Sequence, residues 1–195
     1  MIRTAGRGMR KATRRWVTAG GAVALVGLTL GPALGPERTL IYRDAIPYQA
    51  PQNRLLRDAL TGLRLPEWDP SSYAGVPHLA SPPAQALYPP RALAVLASGH
   101  PASPTDYGAA LHLLLLAGGA WVLGRQLGLR AAARATLALT LLLAGPTCSA
   151  LGNQPALAGI AWLPWALAAG LWARRGSLWR TGAVGLAIAA PVYAG

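Results

Sequence analysis

Charge is what this sequence has least of. Only 12% of its residues are charged and 53% are hydrophobic, where an ordinary soluble domain carries about a quarter charged residues. Acids are the scarcest of all. The six present are Glu37, Asp44, Asp58, Glu67, Asp69 and Asp106, all within residues 36–106. Any carboxylate chemistry is therefore confined to that stretch. The single cysteine, Cys148, excludes an intrachain disulfide and provides no metal-ligand spacing. Within an apolar run it reads as a small buried residue. A Gly-rich phosphate loop, a zinc-ligand spacing and a nucleophile elbow are all missing as well.

Basic residues are plentiful, giving a net charge of +12. Their placement argues against nucleic-acid binding. Arg3, Arg7, Arg10, Lys11, Arg14 and Arg15 precede the first apolar run. Arg38, Arg43, Arg54, Arg57, Arg64 and Arg91 share the acid-bearing stretch. Arg125, Arg130 and Arg134, then Arg174, Arg175 and Arg180, lie between later apolar runs. Three uncompensated clusters separated by apolar segments follow the positive-inside rule.

The expected fold class is thus an all-α integral membrane protein with about five transmembrane helices. Residues 1–16 form a basic cytoplasmic arm. Residues 17–35 carry no charge and suffice to cross a core of about 30 Å at about 1.5 Å per residue. They read as an uncleaved anchor, with a cleavable signal peptide as the competing reading because of the Arg14-Arg15 pair and Ala33-Leu34-Gly35. Residues 36–106 form a large extracytoplasmic loop holding 12 of the 17 prolines. Within it, residues 51–65 predict an amphipathic helix with Leu55, Leu56, Ala59, Leu60 and Leu63 on one face and Arg54, Arg57, Asp58, Thr61 and Arg64 on the other. Arg54 and Asp58 are spaced as an i,i+4 pair. The following stretch to Pro90 reads as turns, and residues 91–98 as a short apolar helical turn. Residues 107–195 supply spans two to five. Asp106 is placed to cap the second span, and residues 135–173 give two spans broken near Gly145-Pro146 and Gly152-Asn153-Gln154-Pro155. Residues 181–195 begin a fifth span of only about 22 Å. Trp162, Trp165, Trp172 and Trp179 are expected as interfacial anchors. All basic clusters fall inside if the N-terminus is cytoplasmic.

Asp44, close to the outer end of the first span, is the candidate catalytic group. Its carboxylate could act as a general base on an acceptor hydroxyl, or hold a divalent cation against a lipid-linked phosphate. Arg43 could pair with that phosphate. A solvated Arg–Asp pair is the plainer alternative. Asp69, before Pro70, suits a turn organiser, and His78 follows Gly75-Val76-Pro77, where it could meet a ligand. His112 sits among leucines on the second span, where packing with a hydrogen bond is the simplest role. Tyr42, Tyr48, Trp68, Tyr73 and Tyr88 make the loop aromatic, which suits sugar rings and membrane interfaces alike.

In their order along the chain these features resemble the bacterial YfhO-like membrane protein family. The residues carrying the likeness are Arg43-Asp44, the amphipathic helix, Leu65-Pro66-Glu67-Trp68-Asp69-Pro70, Gly75-Val76-Pro77, and Ala80-Ser81-Pro82 leading to Gln85 and Tyr88-Pro89-Pro90. The run from His112 to Arg134 and Ala161-Trp162-Leu163-Pro164 extend it. The resemblance implies a GT-C-like glycosyltransferase, or its N-terminal portion, since members are much longer. Such an enzyme takes a sugar from a polyprenyl-phosphate carrier and passes it to a cell-envelope acceptor outside the bacterial cytoplasmic membrane. It implies Asp44 as the catalytic carboxylate and Arg43, Gln49, Trp68, Asp69, His78, Gln85 and Tyr88 as substrate contacts. A non-catalytic membrane protein acting as scaffold or partner subunit is the alternative.

Overall fold

A computed structural model of the chain describes residues 45–72, 74–99 and 103–173, together with 24, 26–28, 31–33, 176, 179, 182, 184–186 and 189. The fold is predominantly helical. Its helices are α1 (Ala50–Thr61), α2 (Pro89–Ala97), α3 (Pro104–Gln126), α4 (Ala131–Leu142), α5 (Gly145–Ala150) and α6 (Gln154–Ala173). Two of these, α3 and α6, are long and apolar enough to cross a membrane. At 23 and 20 residues they rise about 34 and 30 Å. The first and fifth expected spans, and the basic arm, lie almost wholly outside the described residues. Val26, from the first apolar run, is buried in the main apolar core with Leu113, Leu116, Leu142 and Leu157.

The two long helices run parallel. Gln154 donates to the Thr105 carbonyl at 3.0 Å, Trp165 to the Leu115 carbonyl at 2.8 Å, and Gln126 to the Ala168 carbonyl at 3.1 Å. Parallel neighbours require the chain to travel back between them. That return is made by α4 and α5, with a break near the Gly145-Pro146 position that the sequence had marked. With 12 residues α4 rises only about 18 Å. The break falls at Leu143-Ala144, just before Gly145-Pro146 open α5, because proline cannot donate into a preceding turn. Thr147 bridges it by donating to the Leu141 carbonyl at 2.7 Å. At the other end Arg134 closes the α3–α4 turn. Its Nε donates to the Leu129 carbonyl at 2.7 Å, and its guanidinium lies 5.7 Å from the centre of the Trp121 ring.

Several expectations are corrected in detail. Ser103, not Asp106, stands at the cap position of α3, and Asp106 lies buried in the first turn. The amphipathic helix ends at Thr61, and Leu63, assigned to its apolar stripe, is 96% exposed. Leu56 and Ala59 of that stripe are buried as expected, and the buried face takes in Gln52 and Asn53 as well, the latter meeting a polar partner described below. Cys148 is exposed. Trp162 and Trp165 turn inward to make hydrogen bonds, while Trp172 stacks edge-on with Trp179 at 4.4 Å. The turn-rich stretch also holds a small antiparallel pair, β1 (Trp68–Asp69) with β2 (Val76–Pro77), in which Trp68 faces Pro77. Gly75 closes that hairpin at φ 110°, where a Cβ would also fall 2.6 Å from the Trp68 ring. Only glycine satisfies both constraints.

Candidate functional site

The polar residues of the 45–99 region converge on Arg91. The local reason is Tyr88-Pro89-Pro90. A residue before proline is driven to extended backbone, and Tyr88 sits at φ −89° and ψ 110°. The two prolines then fill the first helical positions, where no N–H is needed. Arg91 therefore lies in the first turn of α2. Gln85 faces back toward it after the Pro82–Ala84 turn, with its own backbone in the left-handed region. A wide helical turn at Ala45–Gln49 leads into α1 and delivers Gln49 and Asn53.

Arg91 is buried, only 6% exposed. It donates to Gln49 Oε1 at 3.1 Å, Gln85 Oε1 at 3.3 Å and Asn53 Oδ1 at 3.0 Å. All three acceptors are carboxamides. They solvate the cation without neutralising it, and burial lowers its pKa to about 10, so it stays charged at neutral pH. Its Nε has no partner among the described residues. A second arginine, Arg57 on α1, donates to the Val95 and Ser98 carbonyls and to Ser98 Oγ at the end of α2. A cation there suits the exposed carbonyls of a helix C-terminus.

Tyr88 ties this region to both long helices. Trp162 Nε1 donates to Tyr88 Oη at 2.7 Å, and Tyr88 Oη lies 2.8 Å from His112 Nε2. His112 Nδ1 is 2.6 Å from the Gly108 carbonyl, which can only accept. The proton therefore sits on Nδ1, leaving Nε2 to accept from the tyrosine. Burial raises the Tyr88 pKa, against the opposing effect of the Trp162 donor. The hydroxyl stays protonated and the chain of bonds has one consistent direction.

Asp69 organises a turn. Ser71 donates to Oδ1 from its N–H at 2.9 Å and its hydroxyl at 2.6 Å, and Ser72 donates to Oδ2 at 2.6 Å. Burial pushes the carboxyl up, but these donors outweigh it and hold it below the ordinary value. Asp69 also borders an open groove of about 430 Å³ with Ala50, Arg54, Leu55, Asp58 and Ser71. That volume is in the range of small-ligand sites. Trp68 is 55% exposed and lies across Gly75, outside the groove lining.

His78 is buried, with neither ring nitrogen partnered among the described residues. Burial lowers its pKa, Arg91 lowers it further, and Asp69 opposes. The imidazole is thus buried neutral, while the unfolded chain takes up a proton near pH 6.5. Stability from this group is fully present above about 6.5 and lost as pH falls below it toward the lower folded value. Thermal unfolding between pH 7.5 and 5 should show a falling Tm that His78→Phe flattens. Asp69 acts only in the lower window, beneath its unfolded value of 3.8.

Of the expected site residues, Gln49, Gln85, Tyr88 and His78 are buried in or beside the Arg91 cluster, Asp69 borders the groove, and Trp68 is separate. Arg43 and Asp44 lie outside the described residues. Arg91, Asn53, Thr105 and Gln154 belong to the cluster without having been anticipated. The one signal for Arg91 was a lone cation heading an apolar run. Among the described residues no three His, Cys, Asp or Glu side chains converge as a metal site. Comparison with family models, curated proteins and solved structures finds no match.

Proposed function

We propose that the chain is a membrane glycosyltransferase, or the part of one carrying its first outer loop, of the YfhO-like, GT-C type. It takes a sugar from a polyprenyl-phosphate carrier to a cell-envelope acceptor at the outer face of a bacterial cytoplasmic membrane. The observation that carries this reading is the bond from buried Arg91 to Gln49. Gln49 closes the turn that begins at Ala45, directly after Arg43-Asp44. A carboxylate that must meet an acceptor hydroxyl needs a fixed support, and in this reading the turn held through Gln49 is that support. The groove starting at Ala50 has the volume for a sugar, with Arg54, Asp58 and Ser71 as polar contacts for hydroxyls. In this reading Asp44 is the general base, Arg43 pairs with the carrier phosphate, and Gln49, Gln85 and Arg91 position the loop.

The test is transfer of radiolabelled hexose from a polyprenyl-phosphate carrier to native membranes containing the protein. Asp44→Asn should reduce kcat by about 10²–10⁴-fold, the usual contribution of a general base. Arg54→Ala should act mainly on KM. Undiminished transfer by Asp44→Asn sinks the proposal.

A partner-subunit role is favoured by one observation. Leu163 and Leu167 on α6 are exposed, and only 28% of the apolar window of that helix is buried, against 56% for α3. A stable stoichiometric companion helix cross-linking to Leu167→Cys, with no transfer activity, would establish it.

A further inference from the structure

A small, partly open pocket of about 10 Å³ lies against Arg91, lined also by Gln49, Asn53, Gln85, Thr105 and Gln154. Such a volume suits one small occupant and is far too small for a sugar phosphate. Two of its lining residues carry orphan polar atoms, Arg91 Nε and Thr105 Oγ1. Both side chains are more than nine-tenths buried, at 6% and 3% exposure. A buried unpartnered donor costs about 1–3 kcal/mol, so an occupant accepting from both is strongly favoured.

Charge decides what that occupant is. Among the described residues the Arg91 guanidinium bonds only to neutral carboxamides, and an unneutralised buried cation is expensive. Three helix starts also surround the cavity. Arg91 is in the first turn of α2, Thr105 in that of α3, and Gln154 is the first residue of α6. Helix N-termini carry partial positive charge and favour anions. Asp106, in the same turn of α3, is not among the lining residues. We propose that this cavity binds a single monatomic anion of chloride size, held by Arg91 Nε and the Thr105 hydroxyl. The anion completes the charge of the cluster and locks the 45–99 region onto α3 and α6. This goes beyond sugar transfer and does not depend on it.

The experiment is thermal unfolding of the full chain in detergent, in sodium chloride, bromide or gluconate at equal ionic strength. Chloride and bromide should raise Tm over gluconate by about 3–6 °C in a saturable way. Thr105→Val, which keeps the volume and removes the hydroxyl, should fold and lose most of that increment. Arg91→Gln should lose all of it. Bromide-soaked crystals should show an anomalous peak within hydrogen-bond reach of Arg91 Nε. Equal Tm values in halide and gluconate, or a cavity without the bromide peak, would identify the occupant as water and overturn the proposal. A halide increment retained in full by Thr105→Val would overturn it too, because the effect would then arise elsewhere.

Discussion

Arg91→Met should cost the protein roughly 3 kcal/mol, from opposing contributions. The substitution keeps the length of the side chain and removes its donors. The oxygens of Gln49, Gln85 and Asn53 each lose an Arg91 hydrogen bond in a buried setting, at about 1–3 kcal/mol apiece. Part of that is returned, because a cation no longer has to be desolvated. For a chain of this size the net loss corresponds to a Tm lower by about 6–12 °C. Arg91→Lys should fall between the two. An ammonium can replace the charge but cannot reach three acceptors with the planar fork of a guanidinium. Limited proteolysis supplies a local readout. Cleavage within residues 45–99 should accelerate in Arg91→Met more than cleavage between α3 and α6. A Tm unchanged from the parent would mean that the carboxamides re-pair among themselves, and the Arg91 cluster would cease to be what docks this region.

The same cluster shows what could be read from the sequence and what could not. Uncharged runs and their basic punctuation located α3 and α6, because crossing a hydrocarbon core demands length and apolarity, and both are properties of sequence. Tyr88-Pro89-Pro90 was equally legible, since proline acts through local sterics. The rotation of α1 was not. Periodicity placed Leu56 and Ala59 on the buried face but put Leu63 with them and left Asn53 unassigned, yet Leu63 is exposed and Asn53 buried. An amphipathic pattern assumes an apolar partner, whereas here the partner is a buried guanidinium that draws carboxamides inward. Arg91 itself looked like one of six cations balanced by six acids. Counting charge cannot show that the partners of this cation among the described residues are carboxamides and not acids. The tryptophans on α6 failed for a related reason. Trp162 and Trp165 have the composition of interfacial anchors, but the positions of Tyr88 and the Leu115 carbonyl, 74 and 50 residues away, turn their N–H groups inward. The broken return through α4 and α5 lay between these cases. Gly145-Pro146 marked a break, but only the parallel pairing of α3 with α6 shows that both pieces belong to one return between them.

That parallel pairing rests on a close approach at Gly119, and Gly119→Ala should separate the helices. A Cβ there would fall 2.7 Å from Cδ1 and Nε1 of Trp165 and 3.2 Å from Cβ of Pro164. The indole cannot simply swing aside, because its N–H donates to the Leu115 carbonyl one turn earlier. Overpacking costs about 1–3 kcal/mol, and an N–H displaced from its acceptor adds about 1–3 kcal/mol. A loss of about 2–5 kcal/mol is therefore expected. The control lies on the facing helix. Around Gly159 nothing lies within 4 Å of an added Cβ, so Gly159→Ala should stabilise α6 by up to about 1 kcal/mol through helix propensity alone. The same chemical change thus carries opposite signs at two sites, which no composition-based argument would give. Trp165→Leu closes the cycle. It removes the obstacle and the hydrogen bond together, so Gly119→Ala in that background should cost about 1–2 kcal/mol less than in the parent. Strict additivity of the two changes would mean that Gly119 and Trp165 do not touch, and the packing of α3 against α6 would have to be placed elsewhere along their lengths.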